Sequence, residues 1–171
     1  LYPVLHYEIE AEWGTGFWQG SADEYLALLR VARDAVKAAN PNAKVILMGF
    51  FIAGLFEENP TAEVERVLHE RHPPYTQANL RRLLAEADKL LSHPELFDAV
   101  EFHSLSDWSE ITGMTRFLRS TMRAHGYEKP IWVGDVNYTA SPMLFWGIPV
   151  PPYTKDQKPD LVETVSILAN Q

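Results

Sequence analysis

The strongest constraint on this chain is an alternation. Four strand-like runs, "PVLHYEIEAEW" (3–13), "AKVILMGFF" (43–51), "FDAVEFHSL" (97–105) and "KPIWVGDVNY" (129–138), are separated by stretches of helical periodicity. The first helical stretch opens with "SADE", a capping box in which Ser21 caps and Glu24 reaches back. Tyr25, Leu28, Leu29, Ala32, Val36 and Ala39 then recur at helical spacing until "NPN". A second follows Thr76, with Leu80, Leu83, Leu84, Ala87, Leu90 and Leu91 in one stripe that ends at "SHP". The third follows Ser109, with Ile111, Met114, Phe117, Leu118 and Met122 inward and Gly126 as its stop. A fourth is expected from "DLVE", where Asp160 and Glu163 resemble another box.

Strand–helix alternation with apolar runs in the strands predicts an α/β fold with a parallel sheet. The connections that leave the strands' C-terminal ends are long, 52–75 and 139–159, the first expected to hold a short helix, "TAEVERVLHER". Those that return to the next strand, "NPN", "SHPEL" and "HGYE", are short. This asymmetry matches a (β/α)8 TIM-type barrel, whose active site gathers on the C-terminal face. A doubly wound open sheet shares the alternation, but its Gly-rich phosphate fingerprint is missing. Only about four β/α units are visible, so the expectation is a partial barrel in a single domain, 1–171, and a piece of a longer chain.

Composition narrows the function. A net charge of −8 without a basic block argues against nucleic acid, whose phosphates demand clustered Lys and Arg. No apolar run has the length of a membrane span. With no cysteine, the chain has no disulfide, thiolate metal site or Cys nucleophile. The compartment is not fixed by these features, although an extracytoplasmic location is compatible with them.

Within "HYEIEAEWGTGFW" (6–18), Glu8, Glu10 and Glu12 alternate inside a run that otherwise reads as a buried strand. Period-2 spacing predicts all three on one face. An unpaired buried carboxylate is costly, so that face is either wet or part of a site. Glu12, His103 and Asp135 all fall at C-terminal strand ends, where a barrel collects its reacting groups. Two carboxylates from separate strands suit glycoside hydrolysis, one as proton donor and the other as nucleophile or base.

These residues carry a family resemblance. The segment from "YEIEAEW" to "AKVILMG" resembles the fourth strand, helix and fifth strand of retaining TIM-barrel glycoside hydrolases. In that clan an aromatic precedes an "I-G-N-E" run whose Glu is the acid/base. Ile9 stands at the Ile, Glu10 at the Gly, Ala11 at the Asn and Glu12 at the acid/base. "DAVEFHSL" resembles the sixth strand, with His103 at a subsite-lining His, and "KPIWVGDVNY" the seventh, with Asp135 in the nucleophile's place. The likeness covers about 135 residues, read as strands four to seven of the barrel.

The resemblance implies a carbohydrate substrate or ligand, with Glu12 as acid/base and Asp135 in the nucleophile position. His103, Asn137 and the aromatics Trp13, Trp18, Trp108 and Trp146 are the expected sugar contacts. It calls for no metal and no cofactor. His69 and His72 in "HERHPP" lack the acidic partner spacing of known zinc motifs. Ala11 cannot supply the family's amide to the sugar 2-hydroxyl, and Asp135 is one methylene shorter than Glu. Those two departures keep open a second reading, a carbohydrate-binding or scaffolding pseudoenzyme of the same fold. A third is an unrelated open α/β domain with a small-molecule site at its strand ends. The missing barrel units are expected from a partner chain, a second copy or further sequence.

Overall fold

The computed structural model describes residues 4–52, 55, 76–104, 109–136, 144–145 and 148–149. The elements in order are β1 (His6–Glu8), β2 (Glu12–Trp13), α1 (Ala22–Ala39), β3 (Lys44–Phe50) and α2 (Gln77–Leu91). A 3-10 turn (Pro94–Leu96), β4 (Ala99–Ser104), α3 (Ser109–Ala124) and β5 (Ile131–Val136) follow. A two-stranded antiparallel pair, β6 (Leu144–Phe145) and β7 (Ile148–Pro149), comes last. The expected helices at "TAEVERVLHER" and from Asp160 lie outside the described residues.

Local chemistry sets the helix ends. Ser21 Oγ accepts the Glu24 N–H at 3.3 Å while Glu24 Oε2 accepts the Ser21 N–H at 2.8 Å, the expected capping box. Thr76 Oγ1 accepts the Asn79 N–H at 3.1 Å and caps α2. At the end of α3, Gly126 has φ 82°, its N–H bonds the Arg123 carbonyl, and the Tyr127 N–H bonds the Met122 carbonyl. That pair of bonds is a Schellman stop, and its left-handed residue is a glycine because no Cβ is in the way.

The main sheet is parallel, in the order β1-β3-β4-β5, with β2 continuing β1 along β3. Its outer face is dry. Val45, Leu47, Phe50, Val100 and Phe102 pack against Tyr25 and Leu29 of α1, Leu83, Ala87, Leu90 and Leu91 of α2, and Ile111, Met114, Leu118 and Met122 of α3. The sheet curls about its other face. The rings of His6 on β1 and Trp132 on β5 are 4.9 Å apart. In a flat sheet three strand spacings would separate their backbones by ~14 Å. The result is a half-barrel: helices outside, a concave face within.

The curl has a visible cause in three register shifts. From Glu8↔Ile46 to Glu12↔Gly49 the chain takes four steps along β1–β2 against three along β3. From Leu47↔Val100 to Phe50↔Phe102 it takes three along β3 against two along β4. From Phe102↔Val133 to His103↔Asp135 it takes two along β5 against one along β4. An extra residue on one strand bends it and increases its twist. All three extras lie toward the C-terminal ends.

The first of these shifts corrects the expectation of one strand over 3–13. That run is two short strands, and Glu10 between them has φ 66°. Tyr25 fills the gap in the ladder: its hydroxyl donates to the Ile9 carbonyl at 2.8 Å and accepts the Met48 N–H at 3.0 Å.

Candidate active site on the concave face

In a parallel ladder, residues paired in register project to the same side, and the extra residues decide which side chains meet. Glu8, Glu12, Gly49, Glu101, His103, Trp132 and Asp135 belong to the concave side. So Glu8 and Glu12 share a face as expected, whereas Glu10 lies between the two strands with φ 66°; Glu8 and Glu10 are exposed and Glu12 is buried. The period-2 expectation holds for two of the three acids; the third, Glu10, lies outside the ladder.

His103 is the centre of the cluster. Its Nδ1 lies 2.7 Å from Glu12 Oε1, and its Nε2 lies 3.5 Å from Glu101 Oε1. Glu12 and Glu101 are buried, at 8% and 6% exposure, so neither charge is left to bulk water. Glu8 accepts the Gly49 N–H at 3.1 Å. Asp135 is in register with His103 on the neighbouring strand and is exposed to solvent.

Two glycines make these contacts possible. A Cβ on Gly49 would sit 2.7 Å from His103 Nε2 and 3.2 Å from the Ala11 carbonyl oxygen. Its absence lets Glu12 on β2 reach His103 on β4 across the intervening β3. A Cβ on Gly134 would sit 1.3 Å from Glu101 Oε1, so that glycine gives the Glu101 carboxylate its place.

The electrostatics follow from the contacts. Burial works against a charged imidazole, but hydrogen bonding to Glu101 and Glu12 and their negative charges outweigh it and raise His103 to about 9. Burial, reinforced by the charge of Glu101, pushes Glu8 above the usual carboxylate range despite its bond from Gly49. At neutral pH His103 is therefore an imidazolium, and it faces Glu12 and Glu101.

One ligand atom each from Glu8, Glu101 and His103 lies within 4.8 Å of the others, close enough for a divalent cation to bridge them. Such an ion would need an unprotonated ring nitrogen from His103.

The other predicted residues part company with the site. Trp13 is buried at 4% exposure, 5.8 Å from the Tyr25 ring, and its indole N–H donates to Glu86 at 3.2 Å. It belongs to the outer core and offers no face to a sugar, a correction that follows from its position one residue past Glu12, on the opposite side of β2. Trp18 is half-buried, packs edge-on against Tyr25 at 5.6 Å and donates to the Ser21 carbonyl at 3.2 Å, an anchor for the start of α1. Trp108, Trp146 and Asn137 lie outside the described residues, as do His69 and His72.

Sequence reasoning overlooked Glu101, Gly49 and Gly134. A usable signal existed for each. Glu101 stands two residues before His103 in "AVEFHS", so period 2 puts both on one face. An isolated glycine inside a strand marks a bulge or a close approach. No helix of the described residues is long and apolar enough to cross a membrane. No family model matches the chain, and no curated protein or solved structure matches it either.

Proposed function

We propose that the chain is part of a (β/α)8 barrel of the glycoside hydrolase type and acts on a carbohydrate through Glu12 and Asp135. The observation that carries this reading is the convergence of Glu12, His103 and Asp135 on one concave face, near the C-terminal ends of three parallel strands. The curl supports it further. Side chains from β1 and β5 meet at 4.9 Å on the same face, so the edges of the sheet lean toward one another across it. Position 10, matched to the family's Gly, has φ 66°, which a glycine adopts without strain.

In this reading Asp135 attacks the anomeric carbon and Glu12 delivers a proton to the leaving oxygen. Water then reverses the step with Glu12 as base. Hydrolysis of a panel of aryl glycosides tests it. Both Glu12→Gln and Asp135→Asn are expected to lower kcat/KM by roughly 10²–10⁴-fold. Activity that survives Glu12→Gln sinks the assignment.

The second reading, a binding pseudoenzyme, draws on Ala11 and on the shorter Asp135. Oligosaccharide binding without turnover, with hydrolysis appearing in Asp135→Glu, would decide for it.

A further inference from the structure

We propose that the concave face carries a divalent-metal site for zinc, with Nε2 of His103 and the carboxylates of Glu101 and Glu8 as its protein ligands. The inference goes beyond the hydrolytic reading and does not depend on it, and the family resemblance calls for no such ion. Its first support is a difference between the two sides of one ring. Nδ1 lies 2.7 Å from Glu12 Oε1, the length of a charge-assisted hydrogen bond. Nε2 lies 3.5 Å from Glu101 Oε1, well beyond that length. Two donors on one tetrahedral zinc, each at its usual bond length, stand about 3.4 Å apart. A spacing that is poor for a hydrogen bond is therefore right for an ion. Glu8 brings the third donor, and the three ligand atoms lie within 4.8 Å of one another.

The second support is burial. The Glu101 side chain is only 8% exposed, and among the described residues its one polar partner is the distant Nε2. Buried charges are paired closely or hold metals. Two glycines leave the room: a Cβ on Gly49 would sit 2.7 Å from Nε2, and one on Gly134 would sit 1.3 Å from Glu101 Oε1. The Gly49 N–H, 3.1 Å from Glu8 Oε1, holds Glu8 in place. Charge points the same way. Glu8, Glu12, Glu101 and Asp135 share the face, and among the described residues none of them pairs with a lysine or an arginine. An ion takes Nε2 without a proton and leaves Nδ1 as the ring's donor, directed at Glu12. A metal-bound histidine usually makes that second contact, to a carboxylate on the nitrogen away from the ion. With three protein ligands, zinc keeps a fourth position for water or a substrate oxygen.

The test is zinc binding by the full chain. The protein is stripped with EDTA, freed of the chelator and titrated calorimetrically with zinc chloride near neutral pH. One ion per chain is expected. Glu12→Gln, which touches the ring and not the ion, should weaken binding about 10–100-fold. Glu101→Gln and His103→Gln, each shown to be folded by circular dichroism, should weaken it by on the order of 100-fold or more, since they remove ligands. His69 and His72 are the chain's competing zinc ligands, and replacing both with Gln should leave the affinity unchanged. X-ray absorption of the zinc-loaded wild type gives a reading that needs no substitution. It should show a single imidazole among oxygen neighbours at about 2.0–2.2 Å. The inference is overturned by a chain that binds no zinc, by two imidazoles on the ion, by binding lost with His69 and His72, or by an affinity that Glu101→Gln leaves unmoved.

Discussion

The two ends of the same strands are built on opposite principles. At the N-terminal end, Asp98, Lys37 and Lys129 each have a counter-charge or a carbonyl. Asp98 Oδ2 accepts from Lys37 Nζ at 2.8 Å and from the Val45 N–H at 2.8 Å, and Lys37 also reaches the Ala43 carbonyl at 2.6 Å. Lys129 Nζ donates to the Pro94 and Phe97 carbonyls and lies 4.6 Å from the Phe97 ring centre, while the Tyr127 hydroxyl donates to the Leu91 carbonyl at 2.6 Å. At the C-terminal end, His103 serves Glu12 and Glu101, and Glu8 and Asp135 stand close by. A surplus of like charge is a poor way to hold a fold together, and it belongs where charge is used.

The ends also answer pH differently. Burial favours the neutral acid at Asp98, yet the hydrogen bonds and charge of Lys37, with the Val45 N–H, hold it below the usual range. Its folded value is depressed, so its contribution is present above the unfolded value of about 3.9 and lost only as pH falls further. His103 is the reverse case. Its folded value is raised to about 9, so its contribution is full below the unfolded value and disappears as pH climbs through about 9. One end is fixed across the neutral range, and the other depends on a proton.

The largest expected effect comes from removing that proton's carrier. His103→Gln removes the cation that faces the buried Glu12 and Glu101 and should cost on the order of 3–5 kcal/mol at pH 6 in urea denaturation. The wild-type advantage should shrink by on the order of 2–3 kcal/mol between about pH 6.5 and 9. A difference between the two proteins that stays flat over this window would break the contrast between the ends.

Asp98→Ala comes next. It strands the Val45 N–H, on a fully buried residue, and frees Lys37, for a loss of about 2–3 kcal/mol that should hardly change between pH 6 and 9. A strong pH dependence in that interval would mean the N-terminal end is also proton-linked. Glu8→Gln is the smallest and has the opposite sign. Glutamine can still accept the Gly49 N–H while removing one like charge, so stability at pH 7 should be unchanged or rise by up to about 1 kcal/mol. A loss beyond that range would show that the surplus charge is itself structural.

Much of the fold was legible residue by residue. Ser21 and Glu24, Thr76 and Gly126 act where their spacing says they should. These are contacts within one helical turn, set by the chain's own neighbours. The apolar stripes of the helices and the alternation in β4 likewise point to the outer face that they cover. Glu12 and His103 were legible as candidate site residues because each sits near a C-terminal strand end. Their contact was not, since 91 positions separate them and Gly49 alone lets them touch over β3.

What the sequence determined by itself was the order of elements, their caps, and the gathering of acids and a histidine at one end of a parallel sheet. The tertiary structure alone decided which acids face inward, that Trp13 joins the core, and that Glu101 completes the pair around His103. The physical reason is register. Helix signals repeat within four residues, but a strand's facing is settled against its neighbours, and one inserted residue at each of three ladders resets it.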